Sequence, residues 1–393
     1  MNVILFDNKH RGDLLPFTFT RPQADIRVGI LTIREKWEKR IGSFSSTLTQ
    51  AYLTPKYPLI TNDDNLLINA SICPTDELFA AVMSLSLGQT LKQGEEIIAH
   101  RVETIPHDIE DYRGEVVEFS GNYTTIYHLW DIFSKNEDEI QIDFDLLTKG
   151  RVSQPISPTN TVFCPENVFV EEGAIIECSV INAKNAKVYI GKDAEVMENS
   201  VIRGSCALLE HAQLKIGTKV YGATTIGPYS KVGGEVSNIV IFGYSNKAHD
   251  GFMGNSVLGE WCNIGAGTNT SNLKNNYSIV KLWNYPTRGF RPTGLQFCGL
   301  MMGDHSKCGI NVMFNTGTVV GVSANIFGSG YQRNFYPSFH WGGGTTNISD
   351  YKLDVALEVA EKVYKRRNKV FNELDGQILY SVYNQTEEFR HKY

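Results

Sequence analysis

Between Ile190 and Asn238 the chain keeps one register. Every sixth residue, Ile190, Val196, Ile202, Leu208, Leu214, Val220, Ile226 and Val232, is aliphatic. Four places after each stands a smaller residue: Ala194, Ser200, Cys206, Ala212, Thr218, Thr224, Ser230 and Val236. This period fits neither a helix, whose apolar residues return every three to four, nor a strand alternating in twos. It predicts a β-solenoid in which each hexad makes one short strand and a corner, with the aliphatic residue pointing inward and the small residue at the turn. The register slips after Val236 and resumes at Phe252, Leu258 and Ile264. It slips again through LKNNYSIVKLWNYPTRGFRPTGLQ and resumes at Met302, Cys308, Phe314, Val320 and Ile326. Slips read as insertions, which a stacked repeat must place on its surface. GYSNKAHDGFMG and WNYPTRGFRPTG are therefore the segments in which to look for a site.

Outside the repeat the pattern changes. Asn2 to Phe6 is an apolar run of the kind that starts a buried strand of an α/β domain. A polar loop follows, and from Ile30 the residues Ile30, Leu31, Ile33, Trp37 and Ile41 predict a helix. Residues 146–161 are rich in Pro, Ser and Thr and mark a boundary. After the glycines Gly342 to Gly344, Asp350 is placed to cap a helix whose apolar stripe runs Leu353, Leu357, Ala360, Val363, Tyr364 and Val370, and a second helix follows Gly376. The reading is an α/β domain over 1–155, a parallel β-helix over 156–340 and a helical tail over 341–393.

A chain of 393 residues is long enough for two or three cores. Its 42% hydrophobic and 20% charged residues are globular values, and a net charge of -6 argues against nucleic acid or an anionic membrane as partner. No apolar run reaches the length of a membrane span, and the first residues lack the pattern of a signal peptide, so a cytoplasmic protein is expected. The seven cysteines form no CxxC pair, and Cys206, Cys262 and Cys308 fall on solenoid positions that want a small apolar residue.

Two groups of residues carry candidate chemistry. His249 stands in the first gap of the repeat, and a histidine is suited to take a proton near neutral pH. The second gap carries Arg288 and Arg291 among Trp283, Tyr285 and Phe290. Arginines between aromatics fit phosphate and ring recognition, and equally fit a subunit contact. The basic run Lys362, Lys365, Arg366, Arg367 and Lys369 could attract phosphates, but a solvated helix face is the preferred reading.

The stretch LPFTFTRPQADIRVGILTIREKW resembles the opening of sugar-nucleotide pyrophosphorylases at Pro16, Phe17, Thr18, Arg21 and Pro22, although Gln23 stands where that family has a lysine and the glycine-rich loop is missing. LINASICP, with Asn69, and WDIFSKNEDEIQIDF extend the likeness over nearly the whole chain to the GlmU-like branch of sugar nucleotidyltransferases. Further on, NKAHDGFMGNSVLGEWCNIGAGTNTSNLKNN is similar to the active-site region of the hexapeptide acetyltransferases in that family. The resemblance implies a left-handed β-helix, with His249 as catalytic base, Lys247 near the sugar phosphate, and Asn263 and Asn272 near the acceptor sugar and acetyl-CoA. It also implies nucleotide contacts by Arg11, Arg21 and Asn69, and Mg²⁺ held by carboxylates, of which Asp63 and Asp143 are the candidates beside Asp64 and Asp145. Implied partners are a sugar phosphate, a nucleotide and two further copies in a homotrimer. Three activities remain open: nucleotidyl and acetyl transfer together, nucleotidyl transfer alone with the solenoid serving assembly, and a non-catalytic assembly protein that keeps both folds.

Overall fold

Asn2–Phe6 is a strand buried from Val3 onward, because it lies inside a sheet: it pairs in parallel with Ser46–Leu48 on one side and Asn65–Asn69 on the other. The computed structural model describes residues 1–106, 109 and 114–390. Residues 107, 108, 110–113 and 391–393, the last of which end the expected tail, lie outside the described residues. Asn65–Asn69 runs antiparallel to Glu96–Val102, which forms a hairpin with Gln89–Gln93, and Glu115–Glu118 closes the six-stranded sheet. Helices α1 (Ile33–Ile41), α2 (Asp76–Met83), α3 (Asp131–Ser134) and α4 (Asn136–Thr148) accompany it. Helix α1 begins later than the apolar pattern predicts. Thr32 caps it and Glu35 closes a capping box, leaving Ile30 and Leu31 in the preceding turn.

The solenoid is a parallel β-helix of the left-handed hexapeptide type. Ile190, Leu208 and Ile226 stand in register, as do Val196, Leu214 and Val232 on another face, and Ile202 and Val220 on the third. One turn of the prism thus consumes three hexads, and all eight aliphatic residues of the regular stretch are buried. Face A carries Thr161–Phe163, Val180–Asn182, Val201–Arg203 and Lys219–Tyr221. Face B carries Val168–Val170, Val188–Ile190, Cys206–Leu208 and Thr224–Ile226. Face C carries Ile175–Ile176, Glu195–Val196, Gln213–Leu214, Lys231–Val232 and Asn246–Lys247.

The first slip is a shortening and not an insertion. Ile226 pairs with Ile241, and Ile241 with Leu258, both smaller steps than from Ile190 to Leu208. The cause is that Glu235–Gly243 and Phe252–Glu260 run on as single strands where earlier coils turn a corner. The resumed register is displaced by one place at Phe252 alone, while Leu258 and Ile264 point inward as expected. Val236 pairs with Met253, whose side chain is buried in the prism, while Phe252 is half-buried outside it. The second slip is a true insertion. The coil returns at Leu300–Met302 after a hairpin of Lys281–Asn284 with Gly289–Pro292.

The N-terminal part does not stand apart from the prism. Along face B the outward residues Val240, Val257, Met301 and Val319 belong to the same apolar core as Leu5, Phe17, Trp37 and Ile68, and Phe169 and Ala207 pack with Ile140 and Phe144 of α4. Helices α5 (Leu353–Lys365) and α6 (Glu373–Gln385) add Ala356, Ala360, Ile378, Leu379 and Val382 to that core. Asp350 does not cap α5. It lies in a strand paired with His340–Trp341 and forms an ion pair with Arg390. Helix α6 is capped by Asn372, which leaves Gly376 inside it and not before it.

Candidate functional site

The corners of the solenoid place single aromatic residues above one another. Tyr229, Tyr244, Trp261 and His305 all hold left-handed backbone angles, φ 57°, 53°, 62° and 62°. Their rings form a ladder: Tyr229 to Tyr244 at 5.4 Å, Tyr244 to Trp261 at 4.3 Å and Trp261 to His305 at 6.4 Å between centroids. Tyr364 of α5 stacks on Trp261 at 3.9 Å, and Lys369 lies over Tyr229 and Tyr244. This stacking holds α5 alongside face C, and between them opens a cavity of about 680 Å³.

His249 and Asn263 line this cavity, with Lys231, Asn246 and Lys307 from face C and Arg366 and Arg367 from the end of α5. His249 occupies the corner that joins face C to face A, and its side chain is exposed. Arg367 Nη2 donates to Asn246 Oδ1 at 2.9 Å. Among the described residues Lys231, Arg366 and Arg367 form no ion pair with a carboxylate. Burial and then Arg367, Lys215 and Arg366 lower the pKa of Lys231, and burial and then Arg366 lower that of Arg367. Like charges gathered around a concave surface, with Glu195 a weaker opposing charge on Lys231, favour an anionic ligand. Lys307 is turned away, its Nζ donating to the His305 carbonyl at 2.7 Å, and burial pushes its pKa down to about 8.

The other expected contacts lie elsewhere. Lys247 points into the prism, 1% exposed, and touches no open surface. Asn272 donates to Asn255 Oδ1 at 2.8 Å, outside the cavity. Arg288 pairs with Glu388 at 3.0 Å, and Arg291 with Asp13 at 3.0 Å. Asn284 also donates to Asp13, at 2.8 Å, so the inserted hairpin fastens to the N-terminal part. Sequence reasoning set phosphate binding by Arg366 and Arg367 behind a solvated helix face, because a basic run on an amphipathic helix carries no mark of what the helix docks beside.

In the N-terminal part an amide network closes the C-terminal ends of two parallel strands, the edge where open α/β sheets take their ligands. Asn8 Nδ2 donates to Asn69 Oδ1 at 3.1 Å and to Ser71 Oγ at 3.0 Å, and Gln23 Nε2 donates to Asn8 Oδ1 at 3.0 Å. Asn69 in turn donates to Glu96 Oε1 at 2.8 Å. The two arginines expected beside it are engaged internally. Arg11 meets Asp7 at 3.1 Å and Tyr52 at 2.9 Å. Arg21 is buried against Asp304 and Glu260 of the solenoid. Burial alone would lower its pKa, and the two carboxylates outweigh that and raise it.

Asp63 and Asp143 do not form one metal site. Asp63 is exposed on the loop before Asn65–Asn69, at the edge of the sheet opposite to Asn69. Asp143 is fully buried on α4. It accepts from the N–H groups of Ile30 at 2.8 Å and Leu31 at 3.0 Å and pairs with Lys36 at 2.5 Å, while Lys36 also meets Glu139 at 2.8 Å. Among the described residues no group of three His, Cys, Asp or Glu side chains is placed to hold a metal ion. Asp143 is spent on Lys36 and two backbone N–H groups, and Asp63 stands apart from it.

Residues 3–152 match the family model described as sugar nucleotidyl transferase. The chain is 27% identical over 317 residues to the bifunctional protein GlmU of Methanocaldococcus jannaschii, covering 80% of this chain and 64% of that protein. It is 28% identical over 221 residues to a bifunctional sugar-1-phosphate nucleotidylyltransferase/acetyltransferase of Sulfurisphaera tokodaii, covering 56% and 48%. The chain thus spans less than two thirds of the length of these curated relatives. Among solved structures, a UDP-N-acetylglucosamine acyltransferase from Campylobacter jejuni covers 57% of this chain and 95% of its own at 14% identity and a TM-score of 0.24. A segment that matches the sugar nucleotidyl transferase model is thus followed by a hexapeptide solenoid, and across that junction the chain is similar to bifunctional GlmU proteins.

Proposed function

We propose that this chain is a GlmU-like transferase whose acyl-transfer site is the cavity at His249, with acetyl-CoA as donor and the amino group of a sugar phosphate as acceptor. The observation that carries it is the meeting of His249, Asn263 and the unpaired cations Lys231, Arg366 and Arg367 in one cavity. In this reading the arginines take phosphates of the donor. The acceptor nitrogen attacks the thioester carbonyl carbon, the C–N bond forms and the C–S bond breaks, His249 takes the proton that the amine sheds, and the thiolate leaves. The N-terminal part, residues 1–155, supplies nucleotidyl transfer to a sugar 1-phosphate at the Asn8, Gln23, Asn69 and Ser71 edge. Residues 156–340 and 341–393 form the acyl-transfer half. Among the described residues no helix is long and apolar enough to cross a membrane, and a cytoplasmic homotrimer joined through face A completes the reading.

The test is transfer from acetyl-CoA to a panel of amino sugar phosphates. His249→Ala should lower kcat by about 100-fold or more while donor binding persists. The double change Arg366→Ala/Arg367→Ala should weaken CoA binding by about 10-fold or more, and more steeply at low salt. CoA binding that ignores both arginines overturns the assignment. A second reading is favoured by the internal pairing of Arg11 and Arg21: the N-terminal part serves as a scaffold for face B, and acyl transfer is the sole activity. Pyrophosphate release from UTP and a sugar 1-phosphate separates the two.

A further inference from the structure

The inward column of face C runs Val196, Leu214, Val232, Lys247, Ile264, Cys308 and Ile326. One member is charged. Lys247 occupies a place that the coils on either side give to Val232 and Ile264, and an ammonium there is costly unless its hydrogen bonds are met. They are met by two carbonyls: Nζ donates to Gly233 O at 2.8 Å and to His249 O at 2.6 Å. Among the described residues no carboxylate lies within ion-pair distance of Lys247.

Both acceptors belong to adjacent corners, and one is the main chain of His249 itself. The corner is closed tightly from both sides. A Cβ on Gly233 would stand 2.4 Å from Ala248 O, and one on Gly251, at φ +120°, would stand 2.1 Å from Thr268 O. The corner that carries His249 is thus pressed between two neighbouring coils and tied from within by a side chain a plain hexad does not have. We infer that Lys247 is a positioning residue of the acyl-transfer site: from inside the prism it clamps the corner 248–251 and holds the His249 imidazole at the mouth of the cavity. This rests on the reading of His249 as the base. Burial lowers the Lys247 pKa to about 8, against the attraction of Asp250 and Cys308, so the ammonium is largely retained at neutral pH.

Lys247→Met keeps the volume and removes the donor, and Lys247→Gln restores a donor without the charge. Hydrogen exchange reads the clamp independently of chemistry. In Lys247→Met the amides of residues 248–252 should exchange about 10-fold faster or more, while Gln213–Leu214 and Asn325–Ile326 keep their protection. In the transfer assay kcat should fall by about 10- to 100-fold with the KM for acetyl-CoA unchanged, and Lys247→Gln should recover part of kcat. Unchanged exchange at 248–252, or exchange raised equally along the whole solenoid, overturns the clamp. Unchanged kcat with raised exchange shows a structural tie and overturns the positioning role. No acetyl transfer by the unaltered protein on any acceptor overturns the reading of His249, and the positioning role with it, while exchange still reports the tie.

Discussion

At the residue scale, the side chains with a family pedigree and those with an open surface are largely different sets. Arg21 matches the nucleotidyltransferase opening, yet its guanidinium ties the N-terminal part to Asp304. Asp143 holds the turn before α1 through two N–H groups and Lys36. Two buried carboxylates share that one lysine, and burial pushes Asp143 up. A sequence shows that a carboxylate is present and not whether it is dry. The spacing of Glu139 and Asp143, one turn apart on α4, was the available sign that both face one way. Lys247 gives the residue scale its pH test. Its folded pKa of about 8 lies below the ordinary lysine value of 10.5, so between these values the unfolded chain binds more protons than the native one. Stability attributable to this group therefore rises with pH through that window, and the burial cost is present in full below it. The shift corresponds to roughly 3 kcal/mol at most. Urea unfolding at pH 7.5 and 10 should show the unaltered protein gaining on Lys247→Met as pH rises. A constant difference between the two proteins would mean that burial does not lower the pKa of this lysine.

At the element scale, the hexad register was legible to the residue wherever each coil spends three full hexads. It failed where strands ran through a corner, since a shortened coil and an insertion both look like a lost phase. The covering of face B was also readable in part. Val240, Val257, Met301 and Val319 are outward positions filled with apolar residues, which solvent does not require. The docking of α5 was not readable, because it depends on Tyr244, Trp261 and Tyr364 meeting across a distance that only the coil spacing sets. Face B is covered by the N-terminal part and face C by α5, which leaves face A as the uncovered side. It exposes Phe163, Val201, Tyr221 and Met313 along its strands. An apolar row of this kind marks a surface for association, and His249 sits at its border with face C. Tyr221→Lys together with Val201→Lys should lower the molar mass in light scattering from that of three copies to that of one, with circular dichroism unchanged. A monomer before substitution, or a trimer after it, removes face A as the interface.

At the scale of the whole molecule, the boundary read from the Pro, Ser and Thr-rich stretch at 146–161 separates folds without separating cores. Leu5 and Trp37 of the N-terminal part, Val257 and Met301 of the prism, and Ile378 and Val382 of α6 all lie in one buried apolar cluster. The polar ties cross the same seam: Thr20 Oγ1 donates to Asp304 Oδ2 at 2.7 Å, Arg27 Nε to Phe242 O at 3.1 Å, and Thr225 Oγ1 to Gly29 O at 2.8 Å. Removing either side would leave buried carbonyls and a carboxylate without donors and would expose the outward apolar column of face B. The expectation is one cooperative unfolding transition for the full chain, with tryptophan fluorescence and far-ultraviolet circular dichroism giving coincident curves in guanidinium. Trp37 and Trp130 report the N-terminal part and Trp261, Trp283 and Trp341 the solenoid with its inserted hairpin, so replacing the tryptophans of one half by Phe and following those of the other assigns each half. A chain ending at residue 155 should bind a hydrophobic dye and exchange its amides freely. Two separated transitions, or a folded 1–155 fragment with native protection, would show that the halves are independent and that the shared cluster contributes little to either.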